Sequence, residues 1–404
     1  MKTISEVIQV NIMGDDKPGV TSSLTEILAR YDAFILDIGQ ANIHHTLSLG
    51  ILFQTTADKS GFIMKELLFK ASELGVSLKF FPISAEEYHD WVLRQGKDRY
   101  IVTLLGRRIT ASHIAKVSGI MAENGLNIDD IIRLTGRVPL DEDARLPKSC
   151  IEFSLRGSIP EKKRMMQKFY ELSDDGIDIS FQSDDLYRRC RRLICFDMDS
   201  TLIETEVIDE LAERVGVGDK VRAITESAMR GEIDFFESLT QRVAMLEGLE
   251  VSVMEEIAQN LPYTEGMERM MKILKRMGYK TAILSGGFTY FGNYLRQRFG
   301  FDYVYANDLE IEDGRLTGRC LGQIVDGQRK AELLRLLCQF EGIDIAQSIA
   351  VGDGANDLPM LGIAGLGIAF HAKPKVKLTA EQSISTIGLD GVLYFLGLKD
   401  SWIE

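Results

Sequence analysis

Cysteine is scarce and scattered in this chain of 404 residues. Cys150, Cys190, Cys195, Cys320 and Cys338 are odd in number and never spaced as Cys-x-x-Cys. That pattern argues against a disulfide framework or a cysteine-ligated zinc site, and fits reduced thiols in a cytosolic protein. No run of 18 or more apolar residues is present, which excludes an ordinary helical membrane span. The opening MKTISEVIQVNIMGDD has an early acid and no long apolar run, so no signal peptide is expected and the protein is read as cytoplasmic. Positive charge is in deficit: 47 basic residues against 60 acidic ones give a formal net charge of -13. A general nucleic-acid or anionic-membrane binder is therefore not expected. An anionic substrate would be attracted by local cations and metal, not by the global field.

What is present is length and repetition. The chain exceeds one ordinary core, so two or three domains are expected. The run EVIQVNIM (6–13) alternates as a strand, and Pro18-Gly19 opens the amphipathic run VTSSLTEILARY. Strand-like AFILDIGQANI and LSLGILFQ, a helical FIMKELLFKASEL and a last strand VSLKFFPI complete a βαββαβ order. From Tyr100 the order recurs: YIVTLLG, ASHIAKVSGIMAENG, LNIDDIIRLTG, SCIEFSLRG, PEKKRMMQKFYELS and IDISFQS. Each copy has the length of a ferredoxin-like unit, with two helices on one face of a four-stranded sheet. RVPLDEDARLP within the second copy reads as a loop, and DDLYRRCRR as the linker into the third domain.

From about residue 190 the pattern becomes that of a doubly wound α/β sheet. Short apolar runs (LICF, TAIL, SIAV, LGIAF) alternate with helices. Residues from about 205 to 262 break the alternation, reading as helix throughout, like a cap inserted after the first strand. Because such sheets hold their sites beyond the carboxyl ends of the strands, the cap would close on the substrate. The domains are set at 1–90, 96–185 and 190–404.

LICFDMDSTL carries an apolar strand into Asp197, with Asp199 two residues on. One carboxylate can attack phosphorus while the other moves a proton; two solvated acids at a strand end are the plainer alternative. In TAILSGGF, Ser285 and Gly286 end a second apolar strand, where a hydroxyl and a free amide can hold phosphate oxygens. An ordinary glycine-rich turn explains them equally well. Lys330 opens the helical KAELLRLLCQF, where the helix dipole disfavours a cation. It therefore faces either an anion or solvent. SIAVGDGANDLPML places Asp353 past a third strand, with Asn356 and Asp357 following. Carboxylates gathered with Asp197 offer the oxygen ligands magnesium prefers, whereas a capped Asn-containing turn accounts for Asn356 alone. His371 in IAFHAKP is read as structural, since carboxylates already fill each proton-transfer role.

In the order DxDST, SGG, Lys, GDGAND, these motifs resemble the haloacid dehalogenase superfamily of phosphotransferases. Over about 191–397 the resemblance is closer to the phosphoserine phosphatase family, through FDMDSTLIETEVIDELA, ITESAMRGEIDFFESLTQRV, TEGM, LSGGF, ANDLEIEDGRLTG and VGDGAND. It implies an Mg2+-dependent hydrolase of O-phosphoserine, acting in serine biosynthesis through an aspartyl-phosphate. Asp197 would be nucleophile and Asp199 general acid/base, its carbonyl also facing the metal. Asp197 and Asp353 would ligate the metal, Asn356 and Asp357 orient phosphate and the metal's surroundings, and Ser285 and Gly286 bind the phosphoryl group. Lys330 would steady the phosphoenzyme. Glu206 would pair with the substrate ammonium, and Arg242 with its carboxylate. Met229 and Phe235 match positions that pack over the site; from pattern alone both read as cap core.

The paired N-terminal units resemble ACT domains, small-molecule sensors fused to amino-acid enzymes. In the first, GDDKPGV supplies a ligand-loop match in Asp16, Pro18 and Gly19, whose alternative is a Pro-initiated helix after a turn. The second has GRRITAS there and lacks Pro-Gly, which favours a pairing role. The resemblance implies a serine effector and a homodimer through these units. Two other readings remain: a phosphatase or phosphotransferase for another small amino-acid phosphate such as homoserine phosphate, and a sensor with a vestigial catalytic domain. Intact Asp197, Asp199, Ser285, Lys330 and Asp353 weigh against the sensor.

Overall fold

The structure is a computed structural model that describes residues 5–96, 98–137, 148–229 and 232–403; the side chains of Gln95, Asp174 and Met229 also lie outside the description. Residues 1–97 form one compact unit and 98–404 another.

In the first unit β1 (Ser5–Asp15), α1 (Val20–Arg30), β2 (Phe34–Ile43), β3 (Thr46–Thr56), α2 (Ala57–Leu74) and β4 (Ser77–Ile83) follow in turn. They build an antiparallel sheet of order β2-β3-β1-β4. Alternation in β1 turns Ile8, Val10 and Ile12 onto Leu24, Leu28, Phe53 and Ile63, because successive strand side chains face opposite ways. Lys17–Val20 turns with Gly19 at φ 95, a type II geometry that demands glycine third and favours proline second. A further helix, α3 (Ala85–Leu93), is not among the elements read from the sequence. Its start is a capping box, in which Ser84 Oγ accepts from Glu87 N at 3.2 Å and Glu87 Oε2 from Ser84 N at 2.9 Å.

The second βαββαβ unit repeats that topology. Its elements are β5 (Arg99–Gly106), α4 (Ala111–Glu123), β6 (Asn127–Arg133), β7 (Ser149–Arg156), α5 (Lys162–Glu171) and β8 (Ile177–Ser183), with sheet order β6-β7-β5-β8. The loop expected over 137–147 falls, from residue 138, outside the described residues. One difference separates the copies. Six consecutive residues of β5 are buried, as are six of β8, so this sheet is covered on both faces. Leu105, Leu134 and Cys150 belong to the same hydrophobic cluster as the hydrolase core. The charged run after β8 is not a free linker. It forms α6 (Leu186–Arg189), and Arg188 and Arg191 are both buried.

The C-terminal part begins with β9 (Leu193–Phe196) and four helices, α7 (Val207–Val215), α8 (Gly218–Met229), α9 (Phe235–Ala244) and α10 (Val251–Gln259). Then come α11 (Met267–Arg276), β10 (Lys280–Phe288), α12 (Thr289–Phe299), β11 (Tyr303–Glu312), β12 (Arg315–Leu321), α13 (Gly327–Glu341), β13 (Ser348–Gly352) and α14 (Leu358–Ile363). β14 (Leu366–Phe370), α15 (Pro374–Thr379), β15 (Gln382–Ile384), α16 (Gly391–Phe395) and α17 (Asp400–Ile403) finish the chain. The sheet order is β12-β11-β10-β9-β13-β14-β15, parallel except for the β11–β12 pair. From central β9 the chain passes first to β10 on one side and later to β13 on the other. That reversal opens a crevice at the carboxyl end of β9, where ligands of such sheets bind. The β11–β12 hairpin is the second element absent from the sequence reading. Its Asp313-Gly314 turn has φ 48 and 76, and two positive φ values in sequence suit a tight hairpin.

The second unit joins the core through polar contacts as well. Asp178 Oδ2 accepts from Ser385 N and Thr386 N, both at 2.9 Å, and from Thr386 Oγ1 at 2.6 Å. Gln382 grips the Phe181 backbone, accepting at 3.0 Å and donating at 2.7 Å. Removing the carboxylate in Asp178→Ala strands two amides and is expected to cost about 1–3 kcal/mol. Urea denaturation reads this, and an unchanged midpoint would contradict the contact's role.

Candidate active site

Strand β9 is buried along its length and delivers Asp197 to the crevice, where Asp197 N donates to Val351 O at 2.9 Å. Asp197 Oδ1 accepts from Met198 N at 2.7 Å and from Lys330 Nζ at 2.9 Å, which fixes the carboxylate. Among the described residues its other oxygen has no protein donor, so that oxygen is open to an incoming group. Two residues on is Asp199, followed by a turn at Ser200, which is held at φ 56. Asp199 Oδ1 accepts from Val207 N at 3.1 Å, the first residue of α7.

The end of β10 forms the opposite wall. Ser285 is fully buried and its Oγ accepts from Gly287 N at 2.9 Å. Gly287 matters sterically: a Cβ there would lie 2.3 Å from Asp199 Oδ2, closer than atoms tolerate. At Gly286 a Cβ would lie 3.0 Å from Phe235 Cζ, so the start of α9 in the cap rests on the glycine turn. Gly286 O accepts from Asn307 Nδ2, and Asn307 Oδ1 accepts from Val325 N, each at 2.8 Å. Buried Asn307 thus ties the turn to β11 and to the approach of α13. Sequence reasoning passes over it, although a buried Asn between apolar runs in YVYANDL is a usable signal.

Lys330 lies one turn inside α13, whose first turn is capped by Asp326 accepting from Arg329 N at 2.8 Å. Lys330 is wholly buried, and Nζ reaches Asp357 Oδ1 at 2.7 Å as well as Asp197. Past β13, Thr201 Oγ1 donates to Asp353 Oδ1 at 3.2 Å, and Gly354 N to Asp357 Oδ2 at 2.9 Å. Gly352 leaves room for Asp357, whose carboxylate a Cβ would meet at 2.4 Å. Asn356 precedes it on the same turn.

Oxygens of Asp197, Asp353 and Asp357 all lie within 4.8 Å of one another. Burial, then the charges of Asp197 and neighbouring acids, pushes Asp353 and Asp357 up to about 7. Burial with Glu206 and Asp197 nearby holds Asp199 well above the usual carboxylate range. Three close carboxylates and one lysine form a hard-oxygen set with an excess of negative charge, which fits a divalent cation.

The cap supplies the remaining expected residues. Glu206 sits at the start of α7, its Oε1 accepting from Ser200 Oγ at 3.0 Å, and burial beside Asp197 raises its pKa. Arg242 forms no ion pair among the described residues; its Nε donates to Ser238 O at 3.3 Å. Burial lowers its pKa against the pull of Glu206, Asp209 and Asp199. Asp209, which lies in FDMDSTLIETEVIDELA without an assigned role, contributes to that pull. The Met229 side chain falls outside the described residues. His371 is held at φ 46 with Nε2 2.9 Å from Ile387 O, a backbone-bracing position. In the first unit, Asp16 Oδ2 accepts from Asn42 Nδ2 at 2.6 Å, and Pro18 and Gly19 make the turn into α1.

Residues 6–81 match the family model of the ACT domain, and residues 191–365 that of the haloacid dehalogenase-like hydrolases. A phosphoserine phosphatase of Streptomyces coelicolor is 39% identical over 395 residues, spanning 98% of this chain and 93% of its own. One from Mycobacterium tuberculosis is 38% identical over 401 residues, spanning 98% and 94%. The chain belongs to the phosphoserine phosphatase family. Among solved structures, a haloacid dehalogenase family hydrolase from Salmonella enterica serovar Typhi superimposes with a TM-score of 0.61 at 31% identity, covering 74% of this chain and 98% of that one. A probable phosphoserine phosphatase from Vibrio cholerae, unliganded, gives 0.57 at 32%, covering 75% and 87%.

The electrostatics of the cluster set a stability prediction. With chelator present, Lys330→Met leaves buried carboxylates without their cation and is expected to cost about 3–5 kcal/mol. A divalent cation should restore part of that loss and raise the wild-type melting temperature. Denaturation with and without chelator measures both, and a variant as stable as wild type would contradict the arrangement.

Proposed function

We propose that this chain hydrolyses O-phospho-L-serine to L-serine and phosphate, the last step of serine biosynthesis, with Asp197 as nucleophile and Mg2+ as the metal. The observation that carries the mechanism is the anchored Asp197 carboxylate, with one oxygen held by Lys330 and Met198 N and the other open. The open oxygen attacks phosphorus, forming an aspartyl-phosphate as the P–O bond to the substrate breaks. Asp199, whose pKa burial raises well above the usual carboxylate range, is suited to deliver a proton to the departing serine oxygen. As the carboxylate, Asp199 then takes a proton from water, whose oxygen attacks phosphorus and releases phosphate and Asp197. Ser285 and the Gly286 amide hold the phosphoryl oxygens, and Lys330 neutralises charge on the phosphoenzyme. Asp197, Asp353 and the Asp199 carbonyl would hold Mg2+, with Asp357 orienting its surroundings, and the ion when bound offsets the repulsion between carboxylate and phosphate. Asn356 orients the phosphate from the same turn.

Arg242 has no contact carboxylate of its own among the described residues, so it suits the substrate carboxylate, and Glu206 suits the ammonium. Phe235 would pack over the bound molecule. The familiar setting for such an enzyme is the cytoplasm. A serine effector at the loop of Asp16, Pro18 and Gly19, and a homodimer through the N-terminal units, are proposed on the strength of the ACT match at 6–81.

Phosphate release from a panel of monoesters tests the substrate. O-phosphoserine is expected to exceed phosphothreonine and sugar phosphates, and chelator to abolish turnover. Asp197→Asn should lose activity about a thousandfold or more with the fold retained; a fully active variant would sink the mechanism. Arg242→Lys should raise KM for phosphoserine about tenfold through loss of the two-pronged contact. Hydrolysis of phosphoethanolamine, which lacks the carboxylate, should hardly change. Equal effects on both substrates would remove Arg242 from that role.

A further inference from the structure

A cavity of about 450 Å3 lies between the second βαββαβ unit and the hydrolase core, walled by β8 on one side and by α14 and β15 on the other. Its floor contains Arg191, 4% exposed. That guanidinium makes no ion pair among the described residues. Nη1 donates to Gln182 Oε1 at 3.1 Å, Nη2 reaches Gly365 O at 3.4 Å, and Nε has no partner among the described residues. The other lining charges are engaged elsewhere. Lys162 pairs with Glu381 at 3.2 Å, and Asp185 caps α6 by accepting from Arg188 N at 3.0 Å. Burial, with the like charge of Arg188 beside it, lowers the Arg191 pKa to about 10, so the side chain stays cationic near neutral pH. Asp185 favours the cation only from beyond ion-pair distance, and a buried cation without a contacting counter-charge is costly and is ordinarily matched by an anion.

We propose that this cavity binds a small oxyanion, a carboxylate or a phosphate, on the Arg191 guanidinium. Guanidinium presents parallel N–H donors that match either group, and the volume admits a molecule of amino-acid size. The site is separate from the catalytic crevice but shares an element with it. Helix α14 begins at Leu358, directly after Asp357, and Leu358, Leu361 and Gly362 form a wall of the cavity. A ligand on Arg191 therefore lies against the helix that starts directly after Asp357, the partner of Lys330.

The test is calorimetric titration of the full-length protein with inorganic phosphate and, separately, with L-serine, both in chelator so that metal-assisted binding in the catalytic crevice is suppressed. The two arms distinguish phosphate from carboxylate. Wild type is expected to bind at least one of them at millimolar concentration or below. Arg191→Gln should weaken that binding about tenfold or more. Because a buried substitution can impair folding, Thr379→Glu serves as the second variant. Thr379 is exposed at the cavity rim, and a carboxylate there should weaken binding about threefold or more through repulsion. Failure of wild type to bind either probe overturns the proposal. So does an affinity unchanged in Thr379→Glu, whatever the fate of Arg191→Gln.

Discussion

A single buried ammonium organises the catalytic crevice. Lys330 Nζ sits 2.9 Å from Asp197 and 2.7 Å from Asp357 with no solvent exposure, so the carboxyl ends of β9 and β13 and the start of α13 must converge on one point. Burying this many charges is costly unless each is paired, and the surrounding chain is shaped to meet that requirement. Gly352 clears space for Asp357, and Gly287 for Asp199. Asn307 pins the β10 turn, and Thr201 holds Asp353. The excess of negative charge left after Lys330 is counted makes a divalent cation the natural complement.

The cap and the second βαββαβ unit approach this centre from different directions. Phe235 meets the Gly286 turn from the cap, Glu206 adds its charge beside Asp197, and Arg242 sets the opposite charge close to Glu206 and Asp199. On the other side, Arg107 of the second unit donates to Glu265 Oε1 at 3.0 Å and to Thr386 O at 3.1 Å. Next to Glu265, Thr264 Oγ1 donates to Thr201 O at 2.8 Å, and Thr201 in turn holds Asp353. Arg107 belongs to GRRITAS, the segment that lacks the Pro-Gly pair of the first unit. Its loop is engaged with the core.

Much of this is legible in the sequence, for a clear reason. Buried parallel strands show as uniform apolar runs and amphipathic helices as periodic ones, so β9, β10, β13, β14 and the four cap helices emerge from pattern alone. The α3 helix and the β11–β12 hairpin escape the pattern although Ser84-x-x-Glu87 and Asp313-Gly314 are local signals; both segments carry weak apolar periodicity. Asn307, Gly287 and Asp209 are visible in YVYANDL, LSGGF and FDMDSTLIETEVIDELA, but their partners are not. Their roles depend on which strand ends and helix starts meet, and that is fixed by sheet order. The burial of Arg188 and Arg191 inverts the usual meaning of a charged run, because the second unit packs against the core instead of hanging from a linker.

The mechanism stands or falls on covalent phosphorylation of the open oxygen of Asp197. Rapid acid quench of the full-length enzyme mixed with phosphoserine labelled at phosphorus reads this step. Protein-bound label is expected within the first turnover, sensitive to hydroxylamine as an acyl phosphate should be, and recovered on the peptide that contains Asp197. Phosphate released at full rate with no protein-bound label, or label on another residue, would contradict it.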